Sequence, residues 1–439
     1  MSDTVVLAAV RTPIGKLGGA LAGLAATTLG AEAIRAAVER SGIAPEDIEH
    51  AIMGQVLQAG AGQAPSRQAT FGAGLPKTVT SQTVNKVCAS GLLALADAHR
   101  LIQSGGAATV VAGGMESMSQ APYLVPQARF GYRMGDGMLV DALVHDGLWC
   151  PYFQCTMAEQ SEEVSAHLRI SRAQQDQYAL RSHTFAVAAA EQGRLADELI
   201  PLKVATKAKG RLIIEKIPAP RVAAPVGDRE TAQTQTPDEF VAKPDEFSPY
   251  LADPAAPFTT IVSDEAPRKD TNLDALSKLR PISPGGSITA GNAPGVNDGA
   301  AALVLADGAY ASAHGLSPLA KIRGHAAVAW DPPYLPLTPA MAAEKLLAAK
   351  GLSAKDVALW EINEAFAAVT LASVNRLGID MARVNVDGGA IAIGHPLGCS
   401  GARIVGHLVH ALRRRGGGLG MAAICSGGGQ GDALLIEVD

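Results

Sequence analysis

Two cysteines and a histidine stand in settings that favour reaction over packing. Cys88 follows Val84-Asn85-Lys86-Val87 and precedes Ala89-Ser90-Gly91 and the helical run LLALADAHRLI. The thiol therefore falls at or near a helix N-terminus, where unpaired N–H groups and the dipole favour an anion. A cysteine so placed is expected to have a lowered pKa and to act as a nucleophile. The plain alternative is a small buried hydrophobe, as most free cysteines are.

His395 lies in NVDGGAIAIGHPLGCSG, where glycines and a proline crowd the imidazole from both sides. Such a loop holds a side chain in place and lets a substrate approach the backbone closely. A histidine there can take a thiol proton at neutral pH, or it can simply bond its own loop. Cys425 follows a strand-like run in AAICSGGGQG, whose glycines can present N–H groups to a developing oxyanion. A phosphate cradle is the rival reading. However, no Lys-Ser/Thr follows the glycines, and no GxGxxG is followed by an acidic residue. Asn363 opens NEAFA at a strand-to-helix junction, and alone it reads as an N-cap with Glu364 in the first turn. Cys150 and Cys155 are spaced C-x4-C without a partner pair, and no HExxH occurs, so a metal centre is not expected. His99, His407 and His410 sit on helical stretches without ligand spacing and read as ordinary surface or core residues.

The elements that must position these groups alternate between strand and helix, the pattern of an α/β fold with buried strands. Val5–Val10 reads as a buried strand, and 29–40 as a helix stopped by Gly42. Thr109–Ala112 reads as a strand ending at Gly113-Gly114. Ser171 and Gln174 form a capping box for a helix that runs to Gly193. Residues 340–350 form a helix ending at Gly351; Val357–Ile362 is a strand, and 364–377 a helix stopped by Gly378. The segment CASG followed by a helix and TVVAGGMES is echoed by CSG, a helix and GMAAICSGGG, a hint of a duplicated unit. Residues 203–263, rich in Pro, Thr, Asp and Lys, read as an inserted surface excursion.

Composition excludes several classes. With 48% apolar residues the 439-residue chain is not disordered and can bury two ordinary cores. A net charge of −5 with only 18% charged residues provides no footprint for nucleic acid or a membrane surface. Five cysteines are too few and odd in number for a disulfide framework, which points to a reducing, cytoplasmic location. The run VVLAAV between Asp3-Thr4 and Arg11 is too short and wrongly flanked for a secretion signal.

Taken together, VNKVCASGLLAL, NEAFA, NVDGGAIAIGHPLGCSG and AICSGGGQG resemble the thiolase family and occur in its order. AAVRTPIGKLGG, GQAPSRQAT, AGGMESMS, DEAPRKDTNLDALSKLRP and ITAGNAPGVNDGAA extend the likeness over nearly the whole chain except the Pro-rich excursion. The resemblance implies a thiolase fold: two similar α/β halves with mixed five-stranded sheets in an αβαβα five-layer sandwich, plus an inserted loop domain. The first half would span 1–118, completed by about 297–317, the loop domain 119–296, and the second half 318–439. It further implies that Cys88 takes the acyl group, His395 activates it, and Cys425 moves the α-proton. Asn363 would orient a water that, with His395, stabilises the enolate. The N–H groups of Cys88 and Gly427 would surround the acyl carbonyl. Leu148, Met157, Arg268 and Phe366 would contact coenzyme A, which is a substrate; no metal or other cofactor is implied. Departures from the family pattern are Pro294 in place of a pantetheine-binding serine, Thr156 in place of a histidine, and a shortened WDPPYLP segment. The partners implied are acyl-CoA and CoA, in a homodimer or homotetramer. A ketosynthase-type condensing enzyme and a non-catalytic acyl-CoA-binding relative are the alternatives; Cys425 argues against the first, and the complete residue set against the second.

Overall fold

A computed structural model describes residues 3–205 and 258–439 of the chain. The main strands are β1 (Thr4–Arg11), β2 (His50–Gly54), β3 (Thr80–Val84), β4 (Thr109–Ser117), β5 (Asn297–Asp307), β6 (Ala320–Ala329), β7 (Val357–Ile362), β8 (Gly418–Ser426) and β9 (Gln430–Val438). The main helices are α1 (Ala26–Ser41), α2 (Ser90–Gln103), α3 (Met157–His167), α4 (Arg172–Glu191), α5 (Thr338–Lys350), α6 (Ala367–Leu377) and α7 (Leu397–Arg414).

The strands lie in one path, β7-β8-β9-β6-β1-β5-β4-β2-β3. Its two parts repeat a pattern. In the first, β3, β2 and β4 are parallel, and β5 and β1 follow antiparallel. In the second, Val384 bridges β7 in parallel, β7 and β8 are parallel, and β9 and β6 follow antiparallel. The two units meet edge to edge where Thr4, Val5 and Val6 pair with Ile322, Lys321 and Ala320. The echo between CASG and CSG is thus structural: α2 leads into β4 as α7 leads into β8.

β1 is buried along its whole length because both of its faces are covered. Val5, Leu7 and Val10 pack with α1, whereas Val6 and Ala9 join α2 and α7 in a middle layer shared by both halves. On the far side α5 covers Trp360, Met421 and Leu435. Helix, sheet, paired helices, sheet and helix make the five layers. The paired helices cross almost backbone to backbone: a Cβ on Gly401 of α7 would lie 2.3 Å from the Leu92 nitrogen of α2.

Most boundaries follow the local signals. Gly42, Gly351 and Gly378 end their helices in the left-handed conformation, and Ser171 with Gln174 forms a complete capping box. Two expectations need correction. β4 does not end at Gly113-Gly114 but runs to Ser117, because those glycines serve a close approach; a Cβ on Gly114 would lie 1.9 Å from the Gly398 carbonyl oxygen. The helix after Asn363 starts at Ala367, with Phe366 in the N-cap position, so Asn363 is no cap and Glu364 is in no first turn.

Between the halves lie α3, α4 and three short ribbons, Tyr123–Leu124 with Val140–Asp141, Trp149–Cys150 with Cys155–Thr156, and Leu202–Ala205 with Phe258–Ile261. The last ribbon joins the two ends of the Pro-rich excursion, most of which lies outside the described residues. Among the described residues, no helix is long and apolar enough to cross a membrane.

Candidate active site

Cys88 occupies the turn between β3 and α2. Val87 before it is held at φ +44°, a left-handed conformation that a β-branched residue adopts only when its surroundings impose it. Those surroundings are hydrogen bonds. The Val87 N–H donates to Asn85 Oδ1 at 3.0 Å. The Ser90 hydroxyl donates to Val87 O at 2.7 Å and accepts the Lys86 N–H at 2.8 Å. The Ser426 hydroxyl donates to Lys86 O. Ser426 lies between Cys425 and Gly427, and a Cβ on Gly427 would lie 3.2 Å from Val87 Cγ2. The C-terminal glycine loop is thereby packed onto the Cys88 turn.

The expected lowering of the Cys88 pKa does not hold. The side chain is buried, and burial pushes the thiol up to about 12, with the nearby Glu116 carboxylate adding to the rise. Desolvation outweighs the helix N-terminus here. Lys86, the adjacent cation, is committed to Asp432 at 2.7 Å. A resident thiolate is therefore not the resting form.

His395 is held firmly in its own loop. Its N–H donates to Asn297 Oδ1 at 3.0 Å, and Asn297 Nδ2 is held by Gly15 O at 2.9 Å. Its Nδ1 lies 2.6 Å from the Ser400 hydroxyl, whose hydrogen goes to Pro396 O at 2.9 Å. With the Ser400 hydrogen directed to Pro396 O, Ser400 accepts from His395 and the ring carries its proton on Nδ1, the assignment that also lets Nε2 accept from the Asn363 amide. Burial, and secondarily Arg403, push the imidazole down to about 3, so it is neutral. Nε2 is left as a bare acceptor.

Asn363 faces that nitrogen, with Nδ2 at 3.5 Å from His395 Nε2, the outer edge of a hydrogen bond. Its N–H donates to Ala423 O at 2.9 Å, continuing the β7–β8 ladder. Its Oδ1 is buried without a protein partner, which leaves it available to a polar group in the site. Cys425, on β8, packs with Leu335, Ala365 and Val369, and with Met157 and Phe366 at their margin. Burial, then the neighbouring Cys88, push its thiol well above the usual range.

Of the residues expected to contact coenzyme A, Leu148 packs against the cluster that holds Cys88, and Met157 and Phe366 against Cys425. The Met157 N–H also donates to Leu148 O at 2.9 Å. Arg268 is not brought into this group; it is exposed, and its N–H donates to His183 Nδ1 at 3.2 Å on α4. Thr156, where a family histidine is often found, caps α3 in a box with Glu159.

Several supporting roles were not legible in the sequence, among them those of Glu364, which read as a first-turn residue, and His407, which read as an ordinary helical histidine. Glu116 accepts N–H groups from Val56, Leu57 and Gly398 at 3.0, 3.1 and 2.9 Å, tying β4 to the turn that carries His395. Glu364 accepts from Tyr178, Ser182, Asn385 and the Ile391 N–H, all within 3.0 Å. His407 and Glu198 form a buried pair at 2.8 Å, and Glu198 also holds Arg11 at 2.7 Å. Acidic residues inside apolar runs were the available signal, but their partners are distant in the chain.

Residues 4–224 and 244–309 match the thiolase N-terminal domain, and 316–438 the thiolase C-terminal domain. The chain is 43% identical to the acetyl-CoA acetyltransferase of Escherichia coli K12, covering 100% of this chain and 99% of that protein. It is 41% identical to the mitochondrial acetyl-CoA acetyltransferase of Xenopus tropicalis, covering 100% and 92%. The crystal structure of the Bacillus anthracis acetyl-CoA acetyltransferase superposes with a TM-score of 0.87 at 36% identity, covering 100% and 99%. With both halves matched in order and the fold shared throughout, this chain is a member of the thiolase family.

Proposed function

We propose that the protein interconverts a 3-ketoacyl-CoA and CoA with acetyl-CoA and a shortened acyl-CoA, in two half-reactions through an acyl-Cys88 thioester. The observation that carries this reading is the placing of His395, with Ser400 2.6 Å from Nδ1 and Asn363 3.5 Å from Nε2. In cleavage, the Cys88 sulfur attacks the ketone carbon while its proton passes to His395 Nε2. The carbon–carbon bond breaks, leaving the acyl group on Cys88 and an acetyl-CoA enolate. The enolate oxygen is met by the His395 Nε2–H and, through a water, by Asn363, while the Cys425 thiol protonates the carbon. In the second half, the Cys425 thiolate takes the proton of CoA, whose sulfur attacks the acyl carbonyl. The N–H groups of Cys88 and Gly427 receive the carbonyl oxygen, and Cys88 leaves with the proton held by His395. Thiols, imidazole and N–H donors supply this chemistry, with CoA as substrate and no added cofactor.

The names of the relatives support acetyl as the transferred group. The exposed apolar residues Tyr123, Phe130, Met134, Met138 and Leu139 support self-association as a homodimer or homotetramer. The sparse unpaired thiols support a cytoplasmic location.

The test is labelling with acetyl-CoA. Cys88→Ser protein should take no label, and Cys425→Ala protein should take label but fail to exchange the α-protons of acetyl-CoA. Labelled Cys88→Ser protein would remove the acyl-enzyme assignment. Thiolysis of acetoacetyl-CoA, followed by loss of enolate absorbance, measures the complete reaction.

A further inference from the structure

The ribbon that ends on Leu148 and Met157 carries two thiols outside the chemistry above. Cys150 and Cys155 are directly paired across its antiparallel strands, with Pro151–Gln154 as the turn. Residues paired this way present their side chains on one face with Cβ atoms about 4.5–5.5 Å apart. A disulfide needs about 3.5–4.5 Å, so a small closure of the ribbon joins them. Among the five free cysteines, Cys155 alone is not buried; Cys88, Cys150, Cys399 and Cys425 are. The pair therefore has one thiol within reach of a reagent and a second thiol opposite it.

We propose that Cys150 and Cys155 form a modification site, a dithiol that small-molecule disulfides convert to a cross-strand disulfide. The Cys155 sulfur attacks one sulfur of the reagent RSSR, forming a mixed disulfide and releasing RSH. The Cys150 sulfur then attacks Cys155, breaking the mixed disulfide and releasing the second RSH. The two protein thiols lose two protons and two electrons, and the reagent takes both up to become two thiols. The consequence for activity follows from the ends of the ribbon. Met157 packs on the Cys425 cluster, Leu148 on the Cys88 cluster, and Tyr152 at the tip lies beside Gly428. Closing the ribbon shifts these contacts, and that consequence rests on the assignment of Leu148 and Met157 to the CoA site.

The experiment treats the whole protein with millimolar oxidised glutathione, alkylates the remaining thiols and maps tryptic peptides. Cleavage after Arg133 and Arg169 puts Cys150 and Cys155 alone on one peptide, 134–169, with Cys88, Cys399 and Cys425 each on another. The expected result is peptide 134–169 lighter by two hydrogens and unalkylated, reversed by dithiothreitol, while Cys88 remains alkylated. Cys150→Ser should instead trap glutathione on Cys155. Two alkylated thiols on peptide 134–169, a persistent glutathione adduct on Cys155 in the unsubstituted protein, or earlier loss of the Cys88 thiol would overturn the proposal. In parallel, KM for CoA should rise severalfold on oxidation and stay constant in Cys150→Ser/Cys155→Ser protein. A disulfide that forms without moving KM supports the modification site and counts against the CoA assignment of Leu148 and Met157.

Discussion

The hydroxyl of Ser400 lies 2.6 Å from His395 Nδ1 and 2.9 Å from the carbonyl oxygen of Pro396. When its hydrogen points to Pro396, the hydroxyl accepts from Nδ1 and leaves Nε2 bare. Ser400→Ala removes that acceptor and frees the ring to change tautomer or rotate. The rate of Cys88 acylation by acetyl-CoA should fall about 10²-fold, the scale of a lost general base, with KM little changed. Single-turnover labelling measures it; an unchanged rate would show that the tautomer is set elsewhere.

The His395 pKa leads to a pH prediction. Burial, then Arg403, push it down to about 3, below its unfolded value of 6.5. The folded protein therefore binds fewer protons than the unfolded chain between these values. Stability contributed by His395 is present above pH 6.5 and lost as pH falls toward 3, at up to about 1.4 kcal/mol per unit. Urea unfolding at pH 7 and pH 5 should show a smaller loss in His395→Asn protein than in the parent. By the same shift, the acylation rate should show no acid limb near pH 6.5.

His407 behaves in the opposite sense. Burial alone would pull it down, but Glu198 and Glu361, with Asp387 nearby, push it up to about 10. Its contribution to stability is complete below pH 6.5 and lost as pH rises through about 10. His407→Leu leaves Glu198, 2.8 Å away, short of a buried partner and should cost about 3–5 kcal/mol at pH 7. Chemical denaturation of the two proteins decides the matter.

Two glycines of α7 should respond differently to the same change. Gly401→Ala drives a methyl to 2.3 Å from the Leu92 nitrogen, forces α2 and α7 apart, and should destabilise by about 1–3 kcal/mol. It should also lower activity, since these helices begin beside Cys88 and His395. In Gly406→Ala the methyl meets Ala9 Cβ at 3.5 Å, an ordinary contact, and the gain in helix propensity should leave stability level or raised by up to about 1 kcal/mol. Thermal melts of both variants test the crossing.

Much of the site could be read from the chain because its chemistry is carried by short segments. Cys88 before a helix, His395 among glycines and Cys425 before its glycine run are local patterns, and the motifs around them already resembled the thiolase family. Helix ends at Gly42, Gly351 and Gly378 were equally local, each set by a left-handed residue. What sequence alone could not decide was the balance of forces at each group. A helix N-terminus predicts an acidic Cys88, yet burial makes the thiol weakly acidic. Asn363 resembled a cap until β8 took up its N–H and left its side chain facing the imidazole. Gly113-Gly114 resembled a strand end because no local signal announces a backbone arriving from residue 398. Side-chain type and spacing are properties of the chain, whereas desolvation, the tautomer of a histidine and the partner of a buried carboxylate depend on neighbours that only folding supplies.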